Sequence, residues 1–190
     1  MPDAGEGGEM ASRRDWLDAG LTILAEQGAR ALTIERLTGR LGLTKGSFYH
    51  HFKGMGGFKT ALLAHFEAEC TTRFIDEVER AAPAAPEARL AHLVELVLSD
   101  TADPRLEIAT RAWALQDEQV RAVQERVDRT RVAYLRDLWC RIGHDPVEAA
   151  HLGRLMYLVL VGAGHVLPPL PPQELRALYE LTFRLALARR

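Results

Sequence analysis

Asparagine is absent from these 190 residues, cysteine occurs only twice, and no long apolar run is present. Cys70 and Cys140 lie far apart, with no CxxC or Cys/His ligand spacing around them. A disulfide framework and a cysteine-based zinc site therefore both lack their raw material. The longest apolar stretch, 155–167, contains Gly162, Gly164 and His165. It falls short of the roughly 20 residues that a transmembrane helix needs. Residues 1–11 are acidic and glycine-rich rather than basic and then apolar. They are expected to form a disordered arm, not a signal peptide. The expectation is a soluble, cytoplasmic protein with free thiols.

Catalytic signatures are missing too. No Gly-rich phosphate loop, Gly-x-Ser-x-Gly elbow or HExxH occurs. His144 and His151 are two helical turns apart, which suits surface neighbours better than a metal pair. His65 falls off the helical face of Cys70. No catalytic residue, metal ligand or cofactor site is expected, and the chain is read as a non-enzyme.

What is present is helix. No stretch sustains period-two alternation, whereas apolar residues recur at helical spacing almost throughout. The fold class is all-α. Ser12 with Asp15 makes a capping-box-like start, and Trp16, Leu17, Gly20, Leu21 and Leu24 form one face of a first helix that Gly28 ends. Further helices are expected over 57–80, 86–98, 104–116, 119–142 and 146–165, with a last one from 172 to the end. Ala-Pro repeats at 81–86 and the Pro-rich 167–172 break the chain.

Residues 33–53, TIERLTGRLGLTKGSFYHHFK, carry the functional signal. Thr33 can cap a helix whose Ile34, Leu37 and Leu41 share a face. Gly42 stops it, Leu43 plugs the corner, and Thr44 caps a second helix starting at Lys45. Two helices about a glycine turn, the second polar, make a helix-turn-helix whose second helix suits the DNA major groove. Charge agrees. Between residues 12 and 60, Arg13, Arg14, Arg30, Arg36, Arg40, Lys45, Lys53 and Lys59 outnumber Asp15, Asp18, Glu26 and Glu35, although the whole chain carries a net charge of -2. A basic head on an acidic body suits a molecule whose one end meets phosphate.

Lys45 can reach a base edge or a phosphate, Gly46 permits close approach, and Ser47 can contact either. Thr33 offers a hydroxyl and a helix N-terminus to an anionic oxygen. Thr44, His50 and Lys53 complete the candidate surface. Arg13 and Arg14 could enter an adjacent minor groove or simply solvate the terminus. With no Asn, and no Gln or Arg in the second helix, the preferred adenine reader is missing. DNA shape and backbone contacts are therefore expected to carry much of the selectivity.

The run 33–52, with Gly42-Leu43, Lys45-Gly46-Ser47, Phe48-Tyr49 and His51-Phe52, resembles the signature of TetR-type bacterial transcriptional regulators across roughly 16–63. The resemblance implies phosphate contacts from Tyr49 and His51. Where the family commonly opens its fourth helix Ser-Lys-Glu, this chain has Met55-Gly56-Gly57. Lys53 and Lys59 are the nearest substitutes for that phosphate-binding lysine. The resemblance also implies a helix-turn-helix domain over 12–60 and a helical regulatory and dimerisation domain over 61–190. Homodimerisation would run through 146–165 and 172–189. From the residues alone, the leucine stripe of the last helix favours a dimer face, with internal core as the alternative. A ligand pocket is expected among the helices from 66 to 165, with Trp113, Gln116, Tyr134, Trp139, Tyr157 and His165 as candidate contacts. Glu107 and Arg111, four apart, read as a surface pair.

The reading is a sequence-specific DNA-binding regulator: a homodimer on a palindromic double-stranded operator, repressing until an unidentified small molecule releases it. The alternatives are a ligand-independent or architectural DNA-binding protein and a helical ligand-binding or interaction module without DNA binding.

Overall fold

The computed structural model describes residues 12–81, 85–100 and 105–188. The arm at 1–11, Pro83, Pro104 and Arg189 lie outside the described residues. Ten α-helices are described: α1 Arg13–Gln27, α2 Ile34–Leu41, α3 Lys45–His51, α4 Met55–Glu67, α5 Arg73–Ala81, α6 Pro86–Ser99, α7 Arg105–Ala114, α8 Glu118–Ile142, α9 Pro146–His165 and α10 Pro172–Leu187. No strand occurs among the described residues.

Local chemistry sets most boundaries. Ser12 Oγ accepts from the Asp15 amide while the Ser12 amide donates to the Asp15 carboxylate, closing a reciprocal cap. Asp117 caps α8, and Asp145 caps α9 by accepting from the amides of Val147 and Glu148. Gly42, at φ 66°, ends α2 in the left-handed conformation that a side chain disfavours.

The helix expected over 57–80 begins earlier, at Met55, and is not uniform. Between α4 and α5 lies a five-residue π segment, Ala68–Thr72, where the Arg73 amide donates to the carbonyl of Ala68 five residues back. The cause is tertiary. Arg131 of α8 donates to the Cys70 carbonyl at 2.9 Å and to Thr71 Oγ1 at 3.0 Å. A side chain thus inserts beside the backbone ladder, a recognised origin of such local unwinding.

Two apolar cores lie along the molecule. The first joins α1 to α4 around Trp16, Leu37, Phe48 and Phe58, and Leu106, Val120 and Val127 from α7 and α8 seal it. The second gathers Val78, Leu90, Leu138, Trp139, Met156 and Tyr179 from α5, α6, α8, α9 and α10. Among the described residues, two rods reach both cores: α8, about 37 Å long at 1.5 Å per residue, and the continuous helical run α4–α5. These rods are the mechanical links between the ends of the chain.

The small residues of α9 divide between two jobs. Ala149 and Gly153 are buried. A Cβ built on Gly153 would sit 2.8 Å from the backbone nitrogen of Arg136, so this glycine sets the approach of α9 to α8 within one chain. The opposite faces of α9 and α10 leave Val147, Leu155, Leu158, Leu178, Leu181 and Leu185 exposed.

Candidate nucleic-acid interface and interior cavity

Phe48 anchors the helix-turn-helix. Its ring is fully buried, with centroids 5.5 Å from Trp16, 5.3 Å from Phe52 and 5.6 Å from Phe58. Fixing this side chain inward turns the rest of α3 outward, and Lys45, Gly46, Tyr49 and His50 are exposed. Ser47 and His51 are half-buried beside them, and Lys53 is exposed just beyond the helix. Thr33 and Thr44 each accept a hydrogen bond at Oγ1, from the amides of Arg36 and Ser47, both at 3.3 Å. Capping uses the oxygen as acceptor and leaves each hydroxyl proton for an outside acceptor.

Lys45 Nζ lies 2.5 Å from Glu35 Oε1, and both side chains are exposed. That hydrogen bond raises the lysine's pKa and lowers the glutamate's. An exposed pair of this kind is worth little in stability, so the cation can transfer to a nucleic-acid oxygen at small cost. Around Gly46 the protein makes no demand for glycine, because a Cβ would meet only Thr44 Oγ1 at 3.6 Å. Backbone therefore lies bare at the exposed face of α3 without a packing requirement for it.

Lys59 is not brought to this face. Its ammonium pairs with Asp117, the N-cap of α8, and lies 5.7 Å from the centroid of Trp113. Residue 59 sits on the side of α4 that faces α7 and α8, so it clamps the N-terminal unit to them. The two N-terminal arginines are also engaged. Arg13 stacks 5.3 Å from the Phe52 centroid, and Arg14 donates to Glu69 at 3.0 Å.

At the other end, α4 to α10 and the π segment enclose a cavity of about 430 Å³. Of the six aromatic and polar candidates, Tyr134, Tyr157 and His165 line it. The other three do not. Trp139 is fully buried in the second core against His144 and Phe183, Trp113 packs on the first core beneath Lys59, and Gln116 is exposed in the turn before α8.

The walls are largely apolar, with one polar end that the sequence reading missed. Arg131 donates to Glu107 at 3.1 Å as well as to the π segment. Arg111 forks onto Asp128 at 3.0 and 2.9 Å and pairs with Glu107 at 2.8 Å. The Tyr157 hydroxyl accepts from Arg111 and donates to Asp128, both at 2.7 Å. Glu107 and Arg111 thus do pair, but inside a network and not on the surface. A usable signal existed: Gln124, Asp128 and Arg131 interrupt the Val120–Val127–Leu135 stripe of α8. Burial alone would raise the Asp128 pKa, but hydrogen bonds from Arg111, Tyr157 and Gln124 outweigh it and hold the carboxyl below its ordinary value. Burial pushes the Cys70 thiol and the Tyr157 phenol up, each to about 12.

Residues 17–65, which span the helix-turn-helix just described, match the profile of the bacterial regulatory proteins of the tetR family. This segment is a TetR-type DNA-binding domain. A curated relative, the HTH-type transcriptional repressor KstR2 of Rhodococcus jostii (strain RHA1), is 34% identical over 59 residues. That match spans 31% of this chain and 29% of the relative's length. A transcriptional regulator from Rhodococcus sp. Rha1 has the same fold, with a TM-score of 0.73 at 17% identity, covering 94% of this chain and 97% of the other. The TetR-family regulator SCO4454 of Streptomyces coelicolor superposes with a TM-score of 0.75 at 16% identity, covering 93% and 94%. A TetR regulator from Haloarcula marismortui gives 0.72 at 22%, covering 93% and 96%. These likenesses extend the shared fold over 93–94% of the chain. Among the described residues, no helix is long and apolar enough to cross a membrane.

Proposed function

We propose that this protein is a homodimeric transcriptional repressor of the TetR family. It docks two copies of α3 in major-groove half-sites of a palindromic operator and leaves when a small molecule fills the cavity. Residues 12–60 read DNA, and residues 61–190 dimerise and take up the ligand in the cytoplasm. The observation that carries the reading is the α3 surface: one buried phenylalanine holds a seven-residue helix whose outward side is lysine, bare backbone, serine, tyrosine and histidine. Tyr49, His51, Lys53, Thr33 and Thr44 hold phosphates, while Lys45, Ser47 and His50 lie nearest the bases.

The coupling runs through Phe66. It belongs to the first core with Trp16 and also lines the cavity. A ligand that displaces Phe66 shifts α4 and changes the separation of the two α3 helices, while the half-site spacing stays fixed by the DNA helix. Release requires that the ligand bind the two conformations with different affinities.

Tyr49→Phe tests the phosphate assignment. Losing one hydrogen bond is expected to weaken binding by about 1 kcal/mol per half-site, roughly fivefold, equally across sequences. The salt dependence should stay unchanged, because the lost group is neutral. Lys53→Ala should instead lower the salt slope by about 1 per half-site. Fluorescence anisotropy at several salt concentrations reads both. Unchanged affinity for Tyr49→Phe at matched salt would remove Tyr49 from the interface.

A further inference from the structure

The chemistry of the cavity wall restricts what can fill it. Most of the lining is hydrocarbon, from residues such as Phe74, Leu93, Val97, Ile108 and Leu160. The ionised side chains that reach the wall are Arg131, Glu107 and Asp100. Each already faces an opposite charge: Arg131 on Glu107 at 3.1 Å, Glu107 also on Arg111 at 2.8 Å, and Asp100 on Arg73 at 3.4 Å. Behind the wall, Asp128 balances Arg111. The polar end therefore holds two arginines and two carboxylates and presents no net charge.

From this we infer that the cavity takes an uncharged, predominantly apolar molecule and rejects charged molecules of the same shape. The inference rests on the regulatory reading of the cavity and adds the class of ligand. An anion drawn to Arg131 would meet Glu107 at the same spot, and a cation drawn to Glu107 would meet Arg131 and Arg111. To seat either, the network would have to open and strand one of its own charges in an apolar setting, a strongly disfavoured state. A neutral molecule leaves every pair intact and gains the burial of its apolar surface.

Each nitrogen of the Arg131 guanidinium already donates within the protein. Its Nε serves Thr71 Oγ1, Nη1 serves Glu107, and Nη2 serves the Cys70 carbonyl of the π segment. Recruiting this guanidinium to a ligand carboxylate or phosphate would unfasten the π segment from α8. Neutral ligands instead press on that wall through Phe66 and Phe74 while the guanidinium stays where it is.

Two dyes sharing one ring scaffold test this without DNA. N-phenyl-1-naphthylamine is neutral at pH 7, and 8-anilinonaphthalene-1-sulfonate is its sulfonated anion. The full-length protein should bind the neutral dye saturably, and the anion about tenfold or more weakly, a difference of about 1.4 kcal/mol. Glu107→Gln, nearly isosteric, leaves Arg131 without its carboxylate. It should narrow that gap by strengthening binding of the anion while leaving the neutral dye unchanged. If that variant does not fold, competition between the dyes on the unaltered protein still decides. Equal affinity, preference for the anion, or no saturable neutral-dye binding would overturn the inference. Because no operator is involved, failure here is distinct from failure of the repressor reading, which DNA binding alone decides.

Discussion

Replacing both Leu158 and Leu185 with glutamate is expected to turn a dimer into a monomer and to abolish tight operator binding. Leu158 of α9 is 60% exposed and Leu185 of α10 is 61% exposed in the single chain. With Val147, Leu155, Leu178 and Leu181 they make an apolar face over two adjacent helices, larger than scattered surface leucines require. A two-fold axis through this face would bury it as a four-helix bundle and set four new carboxylates together. Each would be unpaired in an apolar contact, a several-kcal/mol penalty for a single group. Light scattering should fall from the mass of two chains to that of one, with the helical circular dichroism retained. Operator affinity should drop by about 100-fold or more, since one domain alone keeps only half of the phosphate and base contacts. A folded double variant that remains a dimer would place the interface elsewhere and return these leucines to the role of ordinary surface.

Gly153→Ala is expected to destabilise the chain despite alanine's better helix propensity. The added methyl would sit 2.8 Å from the Arg136 nitrogen and 3.2 Å from its Cα. Those neighbours are backbone, so they cannot swing aside as a side chain can. Overpacking costs about 1–3 kcal/mol, and here the upper end applies. Propensity returns about 1 kcal/mol, leaving a net loss of about 2 kcal/mol. For a chain of this size that lowers Tm by roughly 4–8 °C. Gly39 supplies the contrast, since a Cβ there meets nothing within 4 Å and φ is unremarkable. Gly39→Ala should be neutral or stabilising by about 1 kcal/mol. Thermal melts of both variants check this. Equal melting temperatures would mean that α8 and α9 separate easily and that their close packing carries little stability.

The contrast between these two glycines also marks how far the sequence could be read. Helix limits were legible wherever a local signal existed. Asp145 before Pro146, Gly42 and Gly143 after their helices, and Thr33 and Thr44 as caps all mark where helices begin or stop. The helix-turn-helix was legible because its spacing is short-range and its aromatic anchor sits in the middle of the polar helix. The π segment was not, because its cause is Arg131, sixty residues away from Thr71. Nothing within Ala68–Thr72 marks the irregularity. Lys59 read as a phosphate contact because proximity in sequence placed it near α3, whereas its orientation depends on where α7 and α8 dock. Trp139 and Tyr134 occupy one helix, yet only Tyr134 lines the cavity; which side of α8 faces space and which faces core is a tertiary fact. Glu107 and Arg111 show the same limit, since their spacing fits a surface pair and their burial comes from α8 and α9.

Selection of the purified protein against random duplex DNA at ~150 mM salt, a physiological ionic strength, followed by sequencing, tests the central claim most directly. A dimer should enrich an inverted repeat whose half-sites lie one helical turn, about 10 base pairs, or a multiple of it apart. Within each half-site, preferences should be modest and partly at positions without direct contact, because α3 lacks the side chains that read adenine bidentately. Enrichment of no sequence, or of a single unrepeated site, would contradict a dimeric operator-binding regulator.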